Sequence, residues 1–196
     1  MTVILLGNGG GTFGKPHGFN AGFGVISVAV GDFNNDGNED LAVADLSGSV
    51  NILLGNGDGT FGKPQKRNVG ASLTTGSIVI ADFNLDGKLD VAVGGMGADA
   101  FLLFGNGDGT LKPAIQVGST RTTGGPQLGW LAMGDFNGDG KPDLASISDG
   151  GVTILLNTSN EHFQIDKHGT QLPGRCKVLR TLCRQNERPG KVPLVL

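Results

Sequence analysis

Three stretches of nine residues share one pattern: Asp32-Phe33-Asn34-Asn35-Asp36-Gly37-Asn38-Glu39-Asp40, Asp82-Phe83-Asn84-Leu85-Asp86-Gly87-Lys88-Leu89-Asp90 and Asp135-Phe136-Asn137-Gly138-Asp139-Gly140-Lys141-Pro142-Asp143. Each sets oxygen-bearing side chains at positions 1, 3, 5 and 9 and a glycine at position 6. Alternate residues of a tightly curled loop can aim their oxygens at one point. A hard cation such as Ca²⁺ needs that arrangement, with roughly six to eight oxygens at about 2.4 Å. Glycine at position 6 permits a positive φ, which lets the carbonyl of position 7 join the set. One Ca²⁺ per loop is therefore expected, since three carboxylates crowded together repel one another without a cation.

The EF-hand has the same early spacing and is excluded by its other requirements. It needs a bidentate Glu at position 12 and a helix on each side. Position 12 here is Val43, Val93 and Ser146. The flanks, such as Val25 to Val30 and Leu41 to Ala44, are short apolar runs rich in Val and Ile without a helical stripe. They read as strands, so the loop joins strand to strand.

The first aspartates recur after 50 and then 53 residues. A second motif keeps the register: Leu6-Gly7-Asn8-Gly9, Leu54-Gly55-Asn56-Gly57-Asp58-Gly59-Thr60-Phe61 and Phe104-Gly105-Asn106-Gly107-Asp108-Gly109-Thr110-Leu111. Asn-Gly and Asp-Gly after an apolar run signal a hairpin. Each repeat thus reads as four strands: A (25–30) into the loop, B (40–44) out of it, C (50–54) into the Gly-Asn-Gly turn, and a more polar D (65–69). Four strands in about 50 residues predict an all-β fold built from β-propeller blades. The gradient from apolar A to polar D predicts that A lies deepest.

With Asp40-Leu41-Ala42-Val43-Ala44 after the first loop and Leu53-Leu54-Gly55-Asn56-Gly57-Asp58-Gly59-Thr60-Phe61-Gly62 beyond it, residues 2–157 resemble the FG-GAP/VCBS repeat. That repeat builds the calcium-bearing propellers of integrin α subunits and of many secreted bacterial proteins. The resemblance implies that the side chains of Asp32, Asn34, Asp36 and Asp40 and the carbonyl of Asn38 hold the first ion. Residue by residue, it implies Asp82, Asn84, Asp86 and Asp90 with the carbonyl of Lys88 for the second. For the third it implies Asp135, Asn137, Asp139 and Asp143 with the carbonyl of Lys141. Asn replaces the commoner Asp at position 3 each time, which lowers the charge of each site.

The repeats do not close a ring. Thr2 to Leu6 and the stretch to Phe19 supply strands C and D of one blade, three blades follow, and no fourth loop motif lies beyond Asn157. Propellers close with about four to eight blades. The expectation is a segment of about three and a half blades from a larger, seven-bladed propeller. Its open edges are expected to aggregate or to pair with another copy.

Residues 1–160, the repeat domain, hold 8 Lys/Arg and 15 Asp/Glu, and nine of those acids occupy positions 1, 5 and 9 of the loops. The acidity is thus metal chemistry rather than a steering field, and no nucleic-acid partner is expected. Residues 161–196 hold 7 Lys/Arg, 3 Asp/Glu and both cysteines, Cys176 and Cys183, with no repeat. This basic tail is read as disordered, a small disulfide loop being the alternative. No run approaches membrane-spanning length, and Val3 to Leu6 is too short for a signal-peptide core. Loops of this charge fill at extracellular calcium, so an extracellular or cell-surface setting is expected.

No nucleophile with a matching base is evident, and the loops already engage the paired carboxylates, so no enzyme activity is expected. Trp130, aligned with Ser27 and Ser77, opens strand A on the rim opposite the loops, and Arg121 lies in the adjoining connection. Trp130 either fills the inter-blade core or, if exposed, can stack on a sugar or cover a partner side chain. By the resemblance, that rim binds partners. The expected function is a calcium-stabilised binding or adhesion module for an extracellular protein or glycan. The alternative is the non-catalytic, lectin-like propeller of a secreted polysaccharide-acting enzyme.

Overall fold

A computed structural model of the chain describes residues 2–70, 75–95, 99–119, 129–148, 151–158 and 177–179. All of the regular structure among them is β. Strands β5 (Val25–Gly31), β6 (Asp40–Asp45), β7 (Ser49–Leu53) and β8 (Gln65–Asn68) form one antiparallel sheet in chain order. Strands β9 (Thr75–Ala81), β10 (Asp90–Gly95), β11 (Asp99–Leu103) and β12 (Ile115–Ser119) form a second. Strands β13 (Trp130–Gly134), β14 (Asp143–Ser148), β15 (Gly151–Leu156) and β16 (Lys177–Leu179) form a third. Apart from β16, these are the A, B, C and D strands read from the sequence, within a residue or two at each end.

The register repeats as the sequence does. Leu41 pairs with Leu53, Val91 with Leu103 and Leu144 with Leu155 across the B–C seam. Ahead of the first full sheet, β1 (Thr2–Ile4) pairs only with β4 (His17–Phe19), and β2 (Gly7–Gly9) with β3 (Thr12–Phe13). The Gly7↔Phe13 pairing matches the bridges Gly55↔Phe61 and Gly105↔Leu111, so β1 and β4 are the C and D strands of a half-blade.

Consecutive sheets pack face to face around three apolar clusters. Ile4, Phe19 and Phe61 cover Leu41, Val43 and Leu53 between the half-blade and the first blade. Ala42, Ala44, Val50 and Ile52 meet Ile78, Val91, Val93 and Leu103 between the first and second. Ala92, Ala100 and Leu102 meet Leu131, Leu144 and Leu155 between the second and third. Alternate residues of each B and C strand thus serve two interfaces, which is why these strands read as unbroken apolar runs.

Strand A is not the deepest, contrary to the gradient expected from the sequence. Every residue of β6, β7 and β10 is buried, whereas β5 alternates between half-buried and exposed and β13 is mostly exposed. The cause lies outside the strand: Ala29 packs on the second blade while Val28 and Val30 face away from it and are bare. An A strand is buried only when blades flank it on both sides. The basic tail, expected to be disordered, supplies β16 as the fourth strand of the third sheet. Its remaining residues, Cys176 and Cys183 among them, lie outside the described residues.

Candidate metal centre

Each loop is wound by the same hydrogen bonds. In the first, Asp36 N–H donates to Asp32 Oδ1 at 3.2 Å and to Asn34 Oδ1 at 3.1 Å. In the second, Asp86 N–H donates to Asp82 Oδ1 and Asn84 Oδ1, both at 3.0 Å. In the third, Asp139 N–H donates to Asp135 Oδ1 at 3.2 Å and Asn137 Oδ1 at 3.0 Å. Oxygens of positions 1 and 3 therefore converge on one amide in every copy. The other oxygen of position 1 accepts the N–H of the position-6 glycine at 2.7 to 2.8 Å. Those glycines, Gly37, Gly87 and Gly140, have φ of 85°, 81° and 81°.

The position-5 carboxylate completes the curl by accepting the N–H of position 7 at 2.8, 3.1 and 3.0 Å. Its second oxygen gains a lysine contact in one copy. Asn34 and Asn84 donate their amides to Asp36 and Asp86 at 2.8 and 3.1 Å, whereas in the third loop the Lys141 ammonium lies 3.4 Å from Asp139 Oδ2. The Asn34 amide, with the Asn38 N–H behind it, holds Asp36 below the usual carboxylate range. Asp139 is also lowered, its partial desolvation being outweighed by bonds from Lys141 and Asn137.

Position 9 behaves unlike the rest. Asp40, Asp90 and Asp143 are fully buried, and both oxygens of each accept backbone N–H groups. One takes the amide of position 2 (Phe33, Phe83, Phe136) at 2.8 to 2.9 Å. The other reaches the end of strand C, accepting Gly55, Gly105 and Asn157 N–H at 2.7, 2.8 and 2.7 Å. Burial pushes Asp90 up to about 6 against the pull of Gly105 and Phe83, with Asp86 and Asp82 adding like-charge repulsion. The ninth-position aspartate thus braces the loop against the turn of its own blade. Any cation ligation by it shares oxygens that already carry this brace.

Among the described residues no three His, Cys, Asp or Glu side chains gather as a metal-binding group. Two facts account for this. Position 3 is Asn in every copy, and position 9 is turned to the backbone, which leaves the carboxylates of positions 1 and 5 in each loop. The donor set available to an ion is two carboxylates, one amide oxygen and the main-chain carbonyls of Asn38, Lys88 and Lys141. All are oxygens, and a carboxylate offers about four lone-pair sites, of which the loop's own bonds use two or three. That set fits a hard cation in chemistry, at lower charge than a three-carboxylate loop.

On the opposite rim, Trp130 begins β13 and is 56% exposed, so its side chain does not fill the inter-blade core. Arg121 lies outside the described residues. The sequence reading missed Phe23 and Leu46, both exposed on this rim and joined by a Leu46 N–H bond to the Phe23 carbonyl at 3.0 Å. Beneath them the buried Asp45 carboxylate accepts bonds from Ser47, Asn51 and Phe23. A lone apolar residue beside a glycine pair gives no sequence signal of exposure.

Comparison with curated proteins gives no match to the chain. The FG-GAP-like repeat family matches four times, over residues 2–43, 32–93, 82–146 and 135–176. Successive windows overlap at a loop and span the half-blade, the first two blades and the third blade as far as residue 176. The chain belongs to the FG-GAP-like repeat family.

Proposed function

We propose that this chain is a calcium-stabilised binding module that acts outside the cell and recognises a protein or a glycan on the rim opposite its loops. The observation that carries the calcium reading is the convergence of the position-1 and position-3 oxygens on one point in all three copies, beside the position-5 carboxylate. In the first loop Asp32, Asn34, Asp36 and the Asn38 carbonyl would hold the ion, which supplies positive charge that lets the rim carboxylates share one site. Its role is structural, fixing strand A to strand B. The module binds rather than catalyses, because its paired carboxylates are those that would hold the ion. The rim bearing Phe23, Leu46 and Trp130 varies between blades while the loop rim repeats, and a varied rim can host a specific partner. The exposed Trp130 indole also favours the second reading, a lectin-like module, through stacking on a sugar face.

Calorimetric titration with Ca²⁺ tests the metal. Uptake at the loops is expected, with one site lost in Asp36→Ala and a melting temperature that rises with calcium by mass action. Absence of uptake, together with melting that chelator leaves unchanged, overturns it. For the partner, screening against glycans and matrix proteins should find binding that Trp130→Ala weakens and Glu39→Ala, on the loop rim, does not.

A further inference from the structure

The third loop differs from the other two at position 4, which is Asn35, Leu85 and Gly138 in turn, so it alone contains an Asn-Gly pair. A backbone nitrogen can attack the side-chain amide carbon of an asparagine that precedes it. A Cβ on the attacking residue hinders the approach. Gly138 has none, and the space that one would fill is open.

Three other Asn-Gly pairs lie outside the loops, at Asn8, Asn56 and Asn106. Two of them are clamped. The Asn56 and Asn106 amides donate to Thr60 and Thr110 Oγ1 at 2.8 Å, and each hydroxyl donates to Asp58 or Asp108 at 2.6 Å. Near Asn8 the Thr12 hydroxyl turns instead to the Gly9 carbonyl, at 3.2 Å.

We propose that the Asn137-Gly138 pair is a self-modification site, which converts position 3 of the third loop from an amide to a carboxylate. Gly138 N bonds to Asn137 Cγ and gives up its proton to solvent. The Cγ–Nδ2 bond breaks, and ammonia leaves with a proton taken from solvent. Water then opens the five-membered imide at either carbonyl, leaving aspartate or isoaspartate at position 137.

The wound loop opposes this attack. Gly138 N–H is held by Asp135 Oδ1 at 2.7 Å, and Asn137 Oδ1 is held by Asp139 N–H at 3.0 Å. Both bonds must release before the nitrogen reaches the carbon, so the rate follows the fraction of loops that are open. A ligand of the wound loop lowers that fraction by mass action. The aspartate product places carboxylates at positions 1, 3 and 5, so a third loop left open gains more charge than the first two. The isoaspartate product adds a carbon to the backbone and breaks the curl. The conversion follows from the pair and its bonds; only its suppression by calcium rests on the metal reading proposed above.

Incubation of the full chain in chelator and in calcium, followed by proteolysis and mass spectrometry, reads each asparagine separately. In chelator Asn137 should gain the mass of amide-to-acid conversion, and an isoaspartate-specific methyl label, several-fold faster than Asn34 or Asn84. Asn56 and Asn106 should lag behind Asn8. Calcium at about ten times its dissociation constant should slow conversion at Asn137 about tenfold. Gly138→Asn gives the third loop the residue that the first holds at φ 59°, and should bring Asn137 down to the rate of Asn34. Asn137→Asp, which supplies the aspartate product, should bind calcium more tightly than the parent at that loop. Conversion at Asn137 no faster than at Asn84, or unchanged by Gly138→Asn, overturns the proposal. Calcium that binds by calorimetry without slowing conversion overturns the part played by loop opening. Conversion at Asn137 in a chain that takes up no calcium upholds the modification and sinks the metal reading instead.

Discussion

Asp40 is tied to Gly55, fifteen residues further along the chain, by a 2.7 Å bond from the glycine N–H to Oδ1. The same carboxylate takes Phe33 N–H at 2.8 Å on its other oxygen. One buried acid thereby fixes the loop entry, the start of strand B and the end of strand C. Asp40→Ala is therefore expected to cost about 3 kcal/mol, from two charge-assisted bonds and a backbone donor left buried without a partner. Asp40→Asn should fall between, since it keeps one acceptor and sets an amino group against the other donor. Urea unfolding in calcium and in chelator reads this. A penalty that vanishes in chelator would mean that Asp40 acts only through the ion.

Position 4 of the loop is left-handed in every copy, with φ of 59° at Asn35, 59° at Leu85 and 75° at Gly138. Asparagine and glycine tolerate that region, but a leucine Cβ meets the following carbonyl at a cost of about 1–2 kcal/mol. The Leu85 side chain is exposed and has little packing to lose. Leu85→Asn is expected to stabilise the protein by about 1 kcal/mol and to leave calcium uptake at the second loop intact. A neutral or destabilising result in urea unfolding would show that Leu85 makes contacts that offset its strain.

The strands, their order and their register were legible because Asp loops and Gly-Asn-Gly turns punctuate runs of Val, Ile and Leu. The convergence of loop positions 1 and 3 followed from their alternation. Other features were hidden for separate physical reasons. Exposure of Val28 and Trp130 depends on what flanks a strand in space, which local apolarity does not encode. The inter-blade bonds of Ser27 and Ser77, which accept Ile78 and Leu131 N–H, rest on single serines, and only their spacing, broken at Trp130, hints at a shared task. Asp40, Asp90 and Asp143 look like ligands in a spacing pattern. Their bonds to Gly55, Gly105 and Asn157 depend on where the next strand ends. β16 has no repeat motif, so nothing in Lys177–Leu179 announced a fourth strand.

Asp45 gives the far rim a dependence on acid. Its buried carboxylate would be pushed up by desolvation, but bonds from Ser47, Asn51 and Phe23 outweigh that and lower it. The distances are 2.9 Å from Ser47 N–H, 2.9 Å from the Asn51 amide and 3.3 Å from Phe23 N–H. A carboxyl lowered on folding stabilises the native state above its unfolded value of about 3.9. That contribution disappears as pH falls through the folded value. Stability carried by Asp45 should therefore be flat from neutral pH to about 5 and decline below about 4. Asp45→Asn is expected to lower stability at pH 7 and to flatten part of that acid decline. An unchanged acid limb in the variant would assign the dependence to other carboxylates.

Trp130 is the single tryptophan of the chain, so intrinsic fluorescence reports on one place. The exposed indole opens β13 on the rim away from the Asp loops. Its emission should be that of a hydrated indole, should be quenched by iodide, and should change little when chelator is added. Trp130→Ser, which restores the residue of the other blades, removes an exposed side chain and should alter stability by no more than about 0.5 kcal/mol. If the varied rim binds a sugar, the ligand should blue-shift the emission and protect it from iodide, because stacking removes water from one ring face. A ligand that binds the wild type and the Trp130→Ser variant equally, with no spectral change, would place recognition elsewhere on the molecule. An emission already blue-shifted and protected without ligand would show the indole packed, and would leave Phe23 and Leu46 as the apolar features of that rim.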